Sequence, residues 1–204
     1  MNVTAPARRL ILTASVLACL GALSACDKAT PPPSFKSLDI TGAEYASKLS
    51  LTDANGQPFQ LSSLKGKVVV VFFGYTQCPD VCPTTLTNLA ETQRLLGQDG
   101  DKLVGVFVTV DPKRDTATLM KSYVSAFNPN WVGLRGTPDE TAAAAKEFKI
   151  FYREVPGKTE SSYTVDHTAA SFVFDPQGKV RLYVRHATPP ADLAADIQNL
   201  LAAR

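Results

Sequence analysis

Residues 68–73 form an unbroken run of β-branched and aromatic side chains, Val-Val-Val-Val-Phe-Phe. A strand with one wet face alternates apolar and polar residues, so a run with no polar position must be covered on both faces. The chain therefore needs a sheet with a layer on either side. Residues 103–110 form a second run of this kind. Between the two, Leu86, Leu89, Ala90, Gln93 and Leu96 recur at helical spacing, and Gly97 supplies a stop. Helical spacing returns over 116–127, through Leu119, Tyr123 and Phe127, and over the alanine-rich 138–148. A short strand is expected at 131–134. Pro176-Gln177-Gly178 joins strands at 172–175 and 180–185, and an amphipathic helix over 191–201 closes the chain. Upstream, Asn55-Gly56 between Leu51 and Phe59 predicts an N-terminal β-hairpin. This order predicts an α/β domain with a central mixed sheet flanked by helices.

The N-terminus reads as an address and not as part of that fold. Arg8 and Arg9 precede an apolar stretch over 10–23 that is too short for an ordinary spanning helix. It ends in Leu23-Ser24-Ala25-Cys26, which resembles the lipobox of bacterial lipoproteins. That resemblance implies a signal peptide over 1–25 and acylation of Cys26. Residues 26–33, with three consecutive prolines, make a semi-extended tether. Asp27 resembles an inner-membrane retention signal, so the expected location is the inner membrane, with the domain at 34–204 facing the periplasm. A domain of that length buries a core without disulfides or a structural metal, so a metal site in it would be functional. Net charge is +2 with no basic tract, which argues against nucleic acid. No oligomer interface is evident, and a monomer is expected.

Of the four cysteines, Cys19 leaves with the signal and Cys26 is modified. Cys78 and Cys82 remain, in Gly74-Tyr75-Thr76-Gln77-Cys78-Pro79-Asp80-Val81-Cys82-Pro83. The segment follows a buried strand and precedes a helix, where open α/β sheets place their sites. Pro83 has no N–H and belongs in a first helical turn. The helix is therefore expected to begin near Cys82 with Pro83 at its first position, and Cys78 to lie in the loop before it. A helix N-terminus would favour thiolate on Cys82. A purely structural disulfide is the weakest reading, because so short a loop restricts the unfolded chain little. A redox-active pair or a site for a soft metal fits better.

Two thiolates leave a metal short of donors. The chain has two histidines. His186 follows the last hairpin strand and reads as a solvated loop residue. His167, in Tyr163-Thr164-Val165-Asp166-His167-Thr168, follows a polar segment over 156–162 and is expected on a mobile loop. Taken alone it reads more readily as a non-ligand. Asp166 is an orienting partner for it or a turn residue. Asp115, in Asp111-Pro112-Lys113-Arg114-Asp115, is expected to cap the next helix; support of the site by this segment is the alternative. Trp131, Phe72 and Phe73 are expected in the core.

These segments together resemble the Sco/SenC family, copper chaperones of cytochrome c oxidase assembly. The likeness runs from about 61 to 185. It is carried by Phe73-Gly74-Tyr75-Thr76 and the Cys78–Cys82 segment, by 111–116, by Gly133-Leu134-Arg135-Gly136-Thr137 and by 163–168. It implies a thioredoxin-like fold, although thioredoxins place a cis-proline where this chain has none between Pro156 and Pro176. It also implies one copper on Cys78, Cys82 and His167. Two thiolates and an imidazole suit Cu(I), while Cu(II) would want a further donor. The implied acceptor is the copper A site of cytochrome c oxidase subunit II or a related copper protein. The alternatives are a thiol-disulfide reductase served by a thioredoxin-like reductant, and a redox or copper sensor.

Overall fold

All seven positions of the strand Val68–Gly74 are buried, as are all seven of Leu103–Thr109. A computed structural model, which describes residues 34–159 and 162–203, shows what covers them. The signal peptide over 1–25, Cys19, Cys26 and the tether over 26–33 lie outside the described residues. Ten strands are described: β1 (Leu38–Asp39), β2 (Leu51–Asp53), β3 (Pro58–Phe59), β4 (Val68–Gly74), β5 (Leu103–Thr109), β6 (Val132–Arg135), β7 (Tyr152–Val155), β8 (Thr164–His167), β9 (Ser171–Phe174) and β10 (Val180–Val184). The α-helices are α1 (Val81–Leu95), α2 (Ala117–Phe127), α3 (Pro138–Glu147) and α4 (Pro190–Ala202).

Eight strands form one mixed sheet in the order β1-β10-β9-β4-β5-β6-β2-β3. β4, β5 and β6 run parallel, with Phe72 beside Phe107 and Gly74 beside Thr109; the outer pairs are antiparallel. Consecutive side chains on β4 enter opposite layers. Phe72 meets Phe107, which meets Tyr123 of α2. Phe73 meets Phe148, just past α3, which also packs on Phe172 and Phe174. Trp131 is buried and donates from Nε1 to Gln93 Oε1 at 3.0 Å. The hairpin expected around Asn55-Gly56 forms as β2–β3. The start of the domain is pinned by Asp196 of α4, fully buried, whose carboxylate accepts from the Lys36 and Ser37 amides at 2.7 and 2.8 Å.

The structure departs from the sequence reading in three places. Helix α1 begins at Val81, so Pro83 occupies its third position and not its first. The first-turn N–H groups have no intrahelical partner in any case, so a proline is accepted there as readily. Asp115 does not cap α2. Thr116 does, accepting from the Leu119 amide at 3.3 Å. His167 is not on a loop, because 152–155 and 164–167 pair as an antiparallel ribbon, β7–β8, separate from the main sheet. Half of its residues are exposed and only Val165 is buried, so it shows little of the apolar alternation that marks a strand.

Candidate metal centre

The site lies beyond the carboxyl end of β4, at the edge where β4, β5 and β6 all terminate. Residues 75–80 form the loop from β4 to α1. Cys78 is in that loop and half-buried, and its sulfur accepts the Cys82 amide at 3.5 Å. Cys82 is the second residue of α1 and fully buried. Both cysteines are free thiols. His167 ends β8, with Nε2 3.5 Å from Cys82 Sγ. The two sulfurs and an imidazole nitrogen all lie within 4.8 Å of one another. Among the described residues this is the one such grouping of three or more His, Cys, Asp or Glu donors.

The imidazole is held for this task. Nδ1 is 3.1 Å from the Thr168 carbonyl. With Nδ1–H donating there, Nε2 turns its lone pair toward the sulfurs, the tautomer a metal needs. The edges and faces of Phe72 and Tyr75 flank the ring at 5.9 and 6.0 Å. Asp166 is not the orienting partner. It points to the other face of the ribbon, accepting from Arg153 at 3.1 Å, as alternation along a strand dictates. His186 is exposed, with Nδ1 3.4 Å from Thr85 Oγ1, and takes no part.

Of the two sulfurs, Cys78 is the one whose surroundings favour thiolate. The Cys82 thiol, then the Asp80 and Cys82 backbone N–H groups, draw Cys78 down to about 4 against the cost of its burial. The helix N-terminus acts as expected, but on the loop cysteine lying over it. Cys82 is pushed up, first because it donates to Cys78 and then by burial.

Two features under the loop support the site, Gly74 from a family motif and Asp115 by the alternative reading of its segment. A Cβ on Gly74 would stand 2.7 Å from Cys82 Sγ and 2.9 Å from the Phe107 ring, so the buried sulfur uses the space that glycine leaves. Gly74→Ala is expected to cost about 1–3 kcal/mol by overpacking, and to lower metal affinity by displacing that sulfur. Denaturant unfolding and chelator competition on one variant check both effects. The second feature is Asp115, fully buried, which accepts from the Thr76 amide at 3.1 Å, Thr76 Oγ1 at 2.5 Å and Thr109 Oγ1 at 2.5 Å. It fastens the cysteine loop to the end of β5, and its burial pushes its carboxyl up. Asp111 is buried nearby and accepts from Arg114 and Tyr163.

With this geometry in view, comparison with known proteins is specific. The family model for SCO1/SenC matches residues 39–202. A SCO2-like protein of Rickettsia felis is 36% identical over 137 residues, 67% of this chain and 65% of that protein, so this chain spans just under two thirds of its relative's length. The structure of Bradyrhizobium japonicum ScoI with copper bound is 41% identical at a TM-score of 0.68, covering 75% of this chain and 97% of that one. A SCO1/SenC family lipoprotein from Bacillus anthracis is 26% identical at a TM-score of 0.66, covering 82% and 99%. The mixed sheet flanked by helices is the thioredoxin-like fold of these Sco structures.

Proposed function

The chain belongs to the SCO1/SenC family, and from that premise we propose that it is a membrane-anchored copper metallochaperone. It binds one copper through Cys78, Cys82 and His167, and delivers it to the copper A site of cytochrome c oxidase subunit II or a related copper protein. The observation that carries this reading is the convergence of two sulfurs and Nε2 within 4.8 Å. Soft thiolates with one imidazole and no carboxylate make a low-coordinate site that prefers Cu(I). Two of the donors suit release. Cys78 and His167 are half-buried while Cys82 is buried, so an acceptor's ligands reach the metal from the Cys78–His167 side and Cys82 lets go last.

The lipid anchor rests on the Leu23-Ser24-Ala25-Cys26 segment and on the likeness to a lipoprotein of the family. Acylation of Cys26 would hold the domain, as a monomer, to the periplasmic face of the inner membrane. Among the described residues no helix is long and apolar enough to cross a membrane. Anaerobic titration of the reduced protein with Cu(I), against a chromophoric chelator, is expected to saturate at one copper per chain. Saturation at any other ratio would remove the three-donor site from consideration.

One observation favours a second role on the same sulfurs. A half-exposed thiolate on Cys78 above a buried Cys82 thiol is an attacking and resolving pair. Cys78 would attack a partner's disulfide, giving a mixed disulfide and one released thiolate. Cys82, losing its proton, would then attack Cys78 and free the second. The partner gains two electrons, and this chain is left with a Cys78–Cys82 disulfide that a thioredoxin-like reductant must reopen.

A further inference from the structure

The ribbon that carries His167 stands apart from the main sheet, and a lone two-stranded ribbon is marginal in water. Something has to hold it over the cysteines. Its pairing of Lys113 with Glu154, 2.7 Å, has both side chains half or more exposed, and such pairs contribute little. The segment 111–115 supplies a better hold. Arg114 Nε donates to Asp111 Oδ2 at 2.5 Å, with Arg114 14% and Asp111 1% exposed. The same guanidinium donates from NH1 to the Tyr163 carbonyl at 2.7 Å and lies 3.5 Å from the centre of the Tyr163 ring. Tyr163 completes the loop of contacts by donating its hydroxyl to Asp111 Oδ1 at 2.7 Å. Arg114 NH1 also reaches Gln77 Oε1, beside Cys78, at 3.3 Å.

From this we propose that Asp111, Arg114 and Tyr163 form a latch that seats the His167 ribbon on the cysteine loop and so sets how tightly the metal is held. The inference rests on the copper reading for its consequence, not for its geometry. Tyr163 immediately precedes β8, so fixing its ring, hydroxyl and carbonyl fixes where that strand begins and where His167, at its other end, comes to lie. The cysteine loop has a separate fastening, through Thr76 to Asp115. Loss of the latch therefore falls chiefly on the histidine: the cysteine loop loses the long Arg114–Gln77 contact but keeps its Thr76–Asp115 fastening. Arg114 is a positioning residue: its fork, carboxylate on one side and carbonyl on another, is a geometry that lysine does not reproduce.

The test is a double-mutant cycle of Arg114→Gln with His167→Ala, read by Cu(I) competition and by amide hydrogen exchange of the metal-free protein. Arg114→Gln alone is expected to lower Cu(I) affinity about 10-fold, as loss of a supporting partner does at metal sites. In the His167→Ala background it is expected to cost nothing more, because it acts through His167. Exchange in β7–β8 should quicken while β4 and β5 stay protected. Tyr163→Phe, which keeps the ring and loses one hydrogen bond, should fall between Arg114→Gln and wild type. Equal copper losses in both backgrounds, or unchanged ribbon exchange, would overturn the latch. If His167→Ala itself left copper binding intact, the copper reading would fail, and faster ribbon exchange in Arg114→Gln would still support the latch.

Discussion

Replacing His167 by alanine is expected to weaken Cu(I) binding by more than the roughly 10–100-fold that loss of a mere supporting partner costs a metal site, and to leave dithiol–disulfide exchange close to wild type. The split follows from where His167 sits. Its Nε2 is the one nitrogen donor in the cluster, and without it copper keeps two sulfurs. Its hold on the thiols is slight by comparison. Cys78 is kept as thiolate chiefly by the Cys82 thiol and by the backbone N–H groups of Asp80 and Cys82, all of which survive the substitution. Phe72 and Tyr75, which flank the ring, are buried in the core on their own account, so the fold is not at stake. Cu(I) affinity by competition and reduction of a model disulfide, measured on one preparation, decide it. Copper binding equal to wild type would remove His167 from the ligand set. A parallel fall in both would mean that the histidine serves the thiols and not the metal.

Serine in place of either cysteine is expected to bring an equal collapse in Cu(I) binding, by orders of magnitude, but opposite results in thiol chemistry. Cu(I) needs the soft donor, and a hydroxyl does not stand in for thiolate. For exchange, burial decides. Cys82→Ser removes the Cys82 thiol, the chief cause of the low Cys78 pKa, but leaves Cys78 half-exposed with the backbone N–H groups of residues 80 and 82 still favouring thiolate, so it attacks and then has nothing to resolve it, and mixed disulfides accumulate. Cys78→Ser leaves only Cys82, fully buried, where burial both disfavours its thiolate and keeps a partner's disulfide out of reach, and the protein should be close to inert toward disulfides. Mass spectrometry of each variant after incubation with a disulfide probe reads the difference. Trapping by Cys78→Ser and not by Cys82→Ser would reverse the assigned roles.

Much of the fold was legible because burial on two faces leaves no polar residue in a strand. The runs at 68–73 and 103–110 announced β4 and β5, and α1 between them followed from spacing. Pro83 placed the start of α1 within two residues, for want of an N–H. The ribbon was not legible. Arg153, Glu154, Thr164 and Asp166 face solvent, so β7 and β8 carry no periodicity, and a histidine there looked like a loop residue. For Asp115 the expected helix cap does not form, and the alternative reading, support of the site, is the one that holds. A carboxylate one residue before a helix usually caps it, and only the packed structure puts Thr76 and Thr109 within its reach.

By itself the sequence determined the family and the α/β class and, through the family resemblance, pointed to three candidate donors, because those depend on residue types at set positions along one chain. Only the tertiary structure decided which cysteine carries the thiolate, what turns Nε2 toward the sulfurs, and what seats the histidine ribbon. The third answer belongs to a contact between segments far apart in sequence, Arg114 with Tyr163, and the first two to local contacts, Cys78 with Cys82 and His167 with Thr168, whose geometry is set only once the loop and the ribbon are folded. Those hydrogen bonds and that burial are absent until the fold has brought the ends of β4, β5 and β8 together.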